Sequence, residues 1–303
     1  MDIYLPIASL SVNGLVIIGL GLLTGMLSGI FGVGGGFLTT PLLIFYGIPP
    51  TVAAASAASQ VTGASVSGVL AHGRRGGVDY HMGGVLVVGG VLGTGLGALL
   101  FDALQRLGQI DTVINLLYVA MLGSIGGLMA KESITSLRAG ADGARPVRAR
   151  RHHPLVASLP GRWRFYRSGL YISPLAPLLL GMFTGILTML MGIGGGFVLV
   201  PAMLYILGMG AQVVVGTSLF QILFVTMATT MMHALTTHAV DLVLAVLLLI
   251  GSVSGAQLGA RFASNASPLR LRLVLAAIVL LVAVRMAIGL TWRPDEIFTV
   301  AAL

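Results

Sequence analysis

GLLTGMLSGIFGVGGGFLTTP, residues 21–41, and GMFTGILTMLMGIGGGFVLVP, residues 181–201, are two copies of one phrase, 160 residues apart. Gly21, Thr24, Gly25, Gly32, Gly34, Gly35, Gly36, Phe37 and Pro41 recur as Gly181, Thr184, Gly185, Gly192, Gly194, Gly195, Gly196, Phe197 and Pro201. Each copy sets three consecutive glycines inside an apolar run. A glycine in a helix interior costs about 1 kcal/mol relative to alanine, so three together predict a helix break. A break inside a bilayer leaves backbone groups unpaired, and these are tolerated where they line a cavity or meet a ligand. A new helix is expected from about Phe37 and Phe197. Its first N–H groups are free and carry the positive end of the helix dipole. Two such termini in one chain point to an anion site.

Composition sets the class. The chain has 303 residues, of which 56% are hydrophobic and 9% charged, with a mean hydropathy of +1.00. Soluble domains carry about 25% charged residues. The expected fold is therefore an all-α polytopic membrane protein. The absence of cysteine excludes disulfides and thiol chemistry. The opening MDIYLP lacks the positive region of a cleaved signal, so the first apolar segment is expected to be retained.

The paired GxGGGF phrases, each with a proline four residues on, resemble the sulfite exporter TauE/SafE family of bacterial permeases. The resemblance covers both halves and leaves out the basic stretch between them. It implies a permease of the bacterial cytoplasmic (inner) membrane that exports sulfite or an organosulfonate. No flanking strand pattern or acidic residue about 20 positions on supports a dinucleotide-binding reading of the glycines.

Each half divides into five apolar segments. In the first they fall at about 12–31, 37–48, 52–72, 81–101 and 111–130; in the second at 175–191, 197–208, 211–233, 239–262 and 270–290. Most approach the ~20 residues of a spanning helix. The second segment of each half is too short to cross easily, and short glycine-interrupted segments at matching places mark transporter sites. The division is 1–130 as first repeat, 131–172 as basic cytoplasmic linker and 173–303 as second repeat. Gly89, Gly93 and Gly97 match Gly251, Gly255 and Gly259, a ladder of small residues that lets helices approach closely.

Basic residues orient the chain. Region 131–172 holds nine Lys/Arg against two acidic residues. The loop after the third segment carries Arg74 and Arg75, but its counterpart carries none; the loop before the fifth segment carries Arg106, but its counterpart carries Arg261, Arg270 and Arg272. The basic loop thus changes place between halves, as two inverted repeats of about five segments require, with broken or re-entrant helices at the motifs. Both termini are then periplasmic, and fourteen of the seventeen basic residues lie inside. This bias accounts for the basic pI without nucleic acid. The linker is expected to be a solvated cytoplasmic loop that fixes topology, with a regulatory or lipid-headgroup role as the alternative.

The third segments are polar for membrane helices. Ser56 and Gln60, like Thr217 and Gln221, stand four residues apart on one helix face. Hydroxyl and amide donors can hold an oxyanion without a full charge in the bilayer. The candidate substrate-binding residues are Gly34, Gly35, Gly36, Phe37, Ser56, Gln60, Gly194, Gly195, Gly196, Phe197, Thr217 and Gln221. The competing reading is that these polar groups bond helix backbones and pack. His72, Asp79, His233 and Asp241, at matching segment ends, are candidates for gating or proton relay, with interfacial capping the alternative. Arg285 is expected to snorkel to the outer interface.

No enzyme constellation stands out, and neither a metal site nor a cofactor is expected. His152 and His153 would need further ligands. The expected partners are a small anionic substrate and membrane lipid; a coupling proton or cation and the oligomeric state stay open. An inside-negative potential favours anion exit by about 2.3 kcal/mol per charge per 100 mV. The reading is a secondary transporter, with an anion channel, an uptake permease for another small anion, or a non-transporting scaffold as alternatives.

Overall fold

The structure is a computed structural model, described here for residues 2–31, 36–74, 76–138, 160–265 and 268–291. Gly34, Gly35, Arg75, His152 and His153, and the linker from 139 to 159, lie outside the described residues. Among the described residues the regular structure is helical apart from two short hairpins. In order these are β1 (Asp2–Leu5), β2 (Leu10–Asn13), α1 (Gly14–Phe31), α2 (Gly36–Phe45), α3 (Pro50–Arg74), α4 (Tyr80–Arg106) and α5 (Ile110–Arg138). Then follow β3 (Trp163–Phe165), β4 (Leu170–Ile172), α6 (Leu175–Met191), α7 (Gly196–Tyr205), α8 (Ala211–Met232), a π turn (His233–Thr237), α9 (Leu242–Asn265) and α10 (Pro268–Thr291).

Among the described residues, five helical stretches are long and apolar enough to cross a membrane: Tyr80–Arg106, Ile110–Thr135, Val213–Thr237, Leu242–Gly259 and Leu273–Thr291. Their outer faces carry large apolar side chains in the open, among them Leu92, Leu99, Leu128, Leu242 and Leu281. A soluble monomer does not expose apolar surface on this scale. Lipid is the solvent for this belt, and the protein is a multi-pass membrane protein.

Helices of the first half pack against helices of the second in a reciprocal pattern. α1 lies along α9, and α4 lies along α6. α3 meets α8, and α5 meets α10. Glycines make the first two contacts. A Cβ on Gly93 would stand 2.0 Å from the Met182 carbonyl oxygen, and one on Gly185 would stand 2.1 Å from that of Gly90. Across the other pair, a Cβ on Gly25 would meet the Ser252 oxygen at 2.2 Å, and one on Gly255 the Leu22 oxygen at 2.1 Å. The ladder of the fourth segments therefore seats on the ladder running into each glycine motif, in the opposite half. Backbones this close gain dispersion contacts that lipid tails cannot supply.

The hairpins were not foreseen in the sequence. Both are antiparallel and joined by four residues, and both turns end in a left-handed residue, Ser9 at φ 52° and Gly169 at φ 65°. These two positions are themselves 160 apart. Phe165, Leu170 and Ile172 are buried, so the end of the 131–172 stretch is packed chain; α5 meanwhile continues through Arg138.

Candidate functional site

The second motif interrupts a helix, and the first lies between two described helices. α1 ends at Phe31 and α2 begins at Gly36; α6 ends at Met191 and α7 begins at Gly196. In the second motif Gly192, Gly194 and Gly195 all have positive φ, at 71°, 76° and 73°. Side chains with a Cβ rarely adopt this region, which is why glycines occupy it. Gly195 is the N-cap of α7 and supplies no capping side chain. The first N–H groups of α7 are thus left for another acceptor.

The two motifs meet. A Cβ on Gly36 would stand 3.0 Å from the Ile193 oxygen and 3.3 Å from that of Gly192. Val61 reaches both motifs: its methyl groups would lie 2.5 Å from a Cβ on Gly36 and 2.9 Å from one on Gly194. Phe37 and Phe197, buried on the first turns of α2 and α7, stack with centroids 4.5 Å apart. Pro41 and Pro201 lie inside those helices and remove one ladder bond from each.

The broken end of α6 is tied down by side chains from three other elements. Tyr118 donates to the Met191 carbonyl (2.6 Å), and Thr40 donates to the same oxygen (3.2 Å). His233 Nε2 stands 3.0 Å from the Met189 carbonyl oxygen, which requires the proton on that nitrogen. Its Nδ1 faces Thr237, and its ring sits edge-on to Phe101. These bonds satisfy carbonyls that a helix end otherwise leaves bare. Tyr118 escaped the sequence reading, although a tyrosine in the middle of an apolar segment is the signal that would have found it. His72 bonds to its own helix, at the Gly68 carbonyl (3.0 Å).

Asp79 and Asp241 are buried and hold helices and hairpins together. One oxygen of Asp79 accepts from the N–H groups of His81 and Met82 at the start of α4; the other accepts from the backbone and hydroxyl of Ser168 in the β3–β4 turn. Asp241 repeats the division, with one oxygen on Leu244 N–H and the other on Ile7 N–H in the β1–β2 turn. The backbone N–H of each aspartate then donates to a candidate site hydroxyl: Asp79 to Thr217 (3.0 Å) and Asp241 to Ser56 (3.1 Å).

One turn further along α3 and α8 the situation changes. Gln60 is 1% exposed and Gln221 is fully buried. Neither amide atom of Gln60, nor Oε1 of Gln221, has a hydrogen-bond partner among the described residues. A buried, unpaired polar group costs about 1–3 kcal/mol. Gln221 Nε2 donates to Thr184 Oγ1 at 3.4 Å. The Thr184 Cβ in turn would lie 3.1 Å from a Cβ on Gly195. Gln221 is therefore one side chain away from the N-cap of α7. Gln60 precedes Val61, the residue that touches both motifs.

A groove of about 310 Å³ between α3 and α8 is lined by Ser59, Thr62, Met227, Thr230, Met231 and Ala234. Thr62 donates across it to Thr226 (2.8 Å), whose methyl would lie 3.1 Å from a Cβ on Gly194. Arg285 is exposed and sits 5.3 Å from the ring centre of Phe45. Among the described residues no three His, Cys, Asp or Glu side chains cluster as a metal site would require.

A lipid-belted bundle in which an interrupted helix meets the start of α2 from the other half is the architecture of a membrane transporter. The chain belongs to the sulfite exporter TauE/SafE family, whose sequence profile matches residues 17–286. It is 29% identical over 267 residues to the "Probable membrane transporter protein YjnA" of Bacillus subtilis, covering 87% of this chain and 96% of that one. It is 28% identical over 284 residues to a "Probable membrane transporter protein" of Xylella fastidiosa, covering 92% and 95%. A shorter match, 52% identical over 48 residues, is to "Sulfite exporter TauE/SafE family protein 6" of Arabidopsis thaliana, covering 16% of this chain and 11% of that one. No solved structure matches the chain significantly.

Proposed function

We propose that this transporter exports a small sulfur-containing anion, such as sulfite or an organosulfonate, across the bacterial inner membrane. The anion binds near the bilayer midplane between the N-termini of α2 and α7. The observation that carries this reading is the pair of buried glutamines with unpartnered amide atoms. Polar groups that cost this much to bury are kept where a ligand completes them. Gln60 and Gln221 supply amide donors, the glycines bring backbone N–H groups within reach of a ligand, and the helix dipoles favour negative charge. The sulfur chemistry rests on the family name.

In this reading the two halves are inverted repeats. The reciprocal pairing of α1 with α9 and of α4 with α6 supports it, as does the exchange of basic loops between halves. Residues 131–172 join the repeats on the cytoplasmic side, and both termini are periplasmic. Ser56 and Thr217 orient the third segments through the aspartates and stand at the edge of the site. Asp79 and Asp241 fasten the hairpins over the segment ends, and His233 steadies the broken helix. The membrane potential drives exit of the anion without ATP.

The test is thermal stabilisation of the purified protein by sulfite, sulfate, thiosulfate, sulfoacetate and simple carboxylates. Sulfite or a sulfonate is expected to raise the midpoint, and Gln60→Leu with Gln221→Leu is expected to abolish the rise while the protein still folds. Stabilisation that survives in the double variant would move the site elsewhere.

A further inference from the structure

We infer that Gln221 is a specificity-determining residue whose carbonyl oxygen selects anions carrying their own hydrogen-bond donor, an O–H or N–H group; the inference rests on the anion site proposed above. The argument turns on Thr184. Its hydroxyl hydrogen is committed to the Gly181 carbonyl at 2.9 Å. A hydroxyl has one hydrogen, so toward Gln221 the Thr184 oxygen can only accept. Gln221 therefore presents Nε2–H to it, at 3.4 Å. The reverse orientation would set two oxygens face to face with no hydrogen between them. Thr184 thus fixes which way the amide points.

The other end of that amide is Oε1, fully buried and without a partner among the described residues. It is an acceptor, and an anion stripped of hydrogens brings only acceptors. Such a ligand would suit the N–H groups at the start of α7 and be repelled by Oε1. A ligand with both an anionic group and a donor satisfies both: its oxygens face the N–H groups and its hydrogen faces Gln221. The class comprises hydrogen-bearing oxyanions and sulfonates that carry a hydroxyl or ammonium group. Gln60 differs, because among the described residues both of its amide atoms lack partners and none sets its orientation. It can turn its donor to the anionic oxygens.

The experiment compares ethanesulfonate with 2-hydroxyethanesulfonate, equal in charge and close in size, as ligands of the full-length protein in detergent and in proteoliposomes. The hydroxyl-bearing sulfonate is expected to bind about tenfold more tightly or better, since a site built around a ligand hydroxyl discriminates against its absence. In Gln221→Met the ratio is expected to fall within about twofold. Thr184→Val, which releases the amide to turn, should lower the ratio as well, and Thr184→Ser, which keeps the accepting oxygen, should preserve it. Equal binding of the two sulfonates by the wild type, or a ratio that persists in Gln221→Met, overturns the inference and leaves the transport reading standing. Failure of both sulfonates to bind or move overturns the inference, and failure of sulfite as well overturns the transport reading with it.

Discussion

The rings of Phe37 and Phe197 lie parallel, 6° apart in plane and 4.5 Å between centroids. Two residues 160 positions apart in the chain, each one step past its glycine triplet, thus touch across the centre of the bundle. An aromatic pair of this kind contributes about 0.5–1.5 kcal/mol beyond the area it buries. Phe37→Leu and Phe197→Leu are each expected to lower stability, and a double-mutant cycle should return a coupling of about 1 kcal/mol. Strictly additive losses in chemical unfolding would show that the rings do not act as a pair.

The positive φ angles of the second motif set an order of tolerance. A Cβ on Gly192 would stand 2.0 Å from the Ala54 carbonyl oxygen, and one on Gly195 would stand 3.1 Å from the Thr184 Cβ. The left-handed conformation alone costs an L-residue about 1–2 kcal/mol. Gly210 has φ −70° and open space around it. Alanine should therefore be worst at Gly192, intermediate at Gly195 and tolerated at Gly210. Melting midpoints in detergent that fail to follow this order would remove the strain argument.

Two glycines of α4 separate packing from mere composition. A Cβ on Gly93 would run into the Met182 backbone, whereas one on Gly95 meets nothing within 4 Å. Gly93→Ala should force α4 and α6 apart and cost the protein at least about 1 kcal/mol, and Gly95→Ala should be neutral or slightly stabilising through helix propensity. Equal effects at the two positions would contradict the close helix contact.

The divided carboxylates make another prediction. An asparagine keeps one acceptor oxygen where aspartate has two. Asp241→Asn and Asp79→Asn can hold the helix N–H groups or the hairpin, not both. The helix bonds are local in sequence and should be kept, so the hairpin contact is lost. Faster amide exchange is expected at residues 2–13 in Asp241→Asn and at 163–172 in Asp79→Asn, each without change in the other hairpin. Alanine should cost about 1 kcal/mol more, because the cap is lost too. Unchanged exchange in both hairpins would mean the aspartates do not fasten them.

Orientation is checked from outside the cell. Single cysteines at Asp2 and Ala302 are expected to react with an impermeant thiol reagent applied from the periplasm, and one at Ala144 to react only after the membrane is opened. Labelling of the two termini from opposite faces would rule out five crossings per half.

What the sequence determined by itself was local or periodic. Three glycines in an apolar run predict a broken helix because backbone entropy acts on each residue where it stands, and in the second motif the break falls at 191–196. The apolar segments predict spanning helices because length and hydropathy are sums along the chain. The ladder of Gly89, Gly93 and Gly97 announced close packing, but not its partner. Only the tertiary structure decided that the ladder meets the helix leading into the opposite motif, since a helix face specifies its shape and not the neighbour that fits it. The same limit hid Tyr118, whose hydrogen bond joins residues 73 apart. It hid the hairpins as well, because strands of three or four residues give too short an alternation to stand out in an apolar chain. It also concealed the difference between Ser56 and Gln60. In sequence they are equivalent polar residues on one helix face. In the fold Ser56 accepts from the Asp241 backbone, and Gln60 is left without a partner among the described residues, because a hydrogen bond depends on what the rest of the chain brings to within 3 Å.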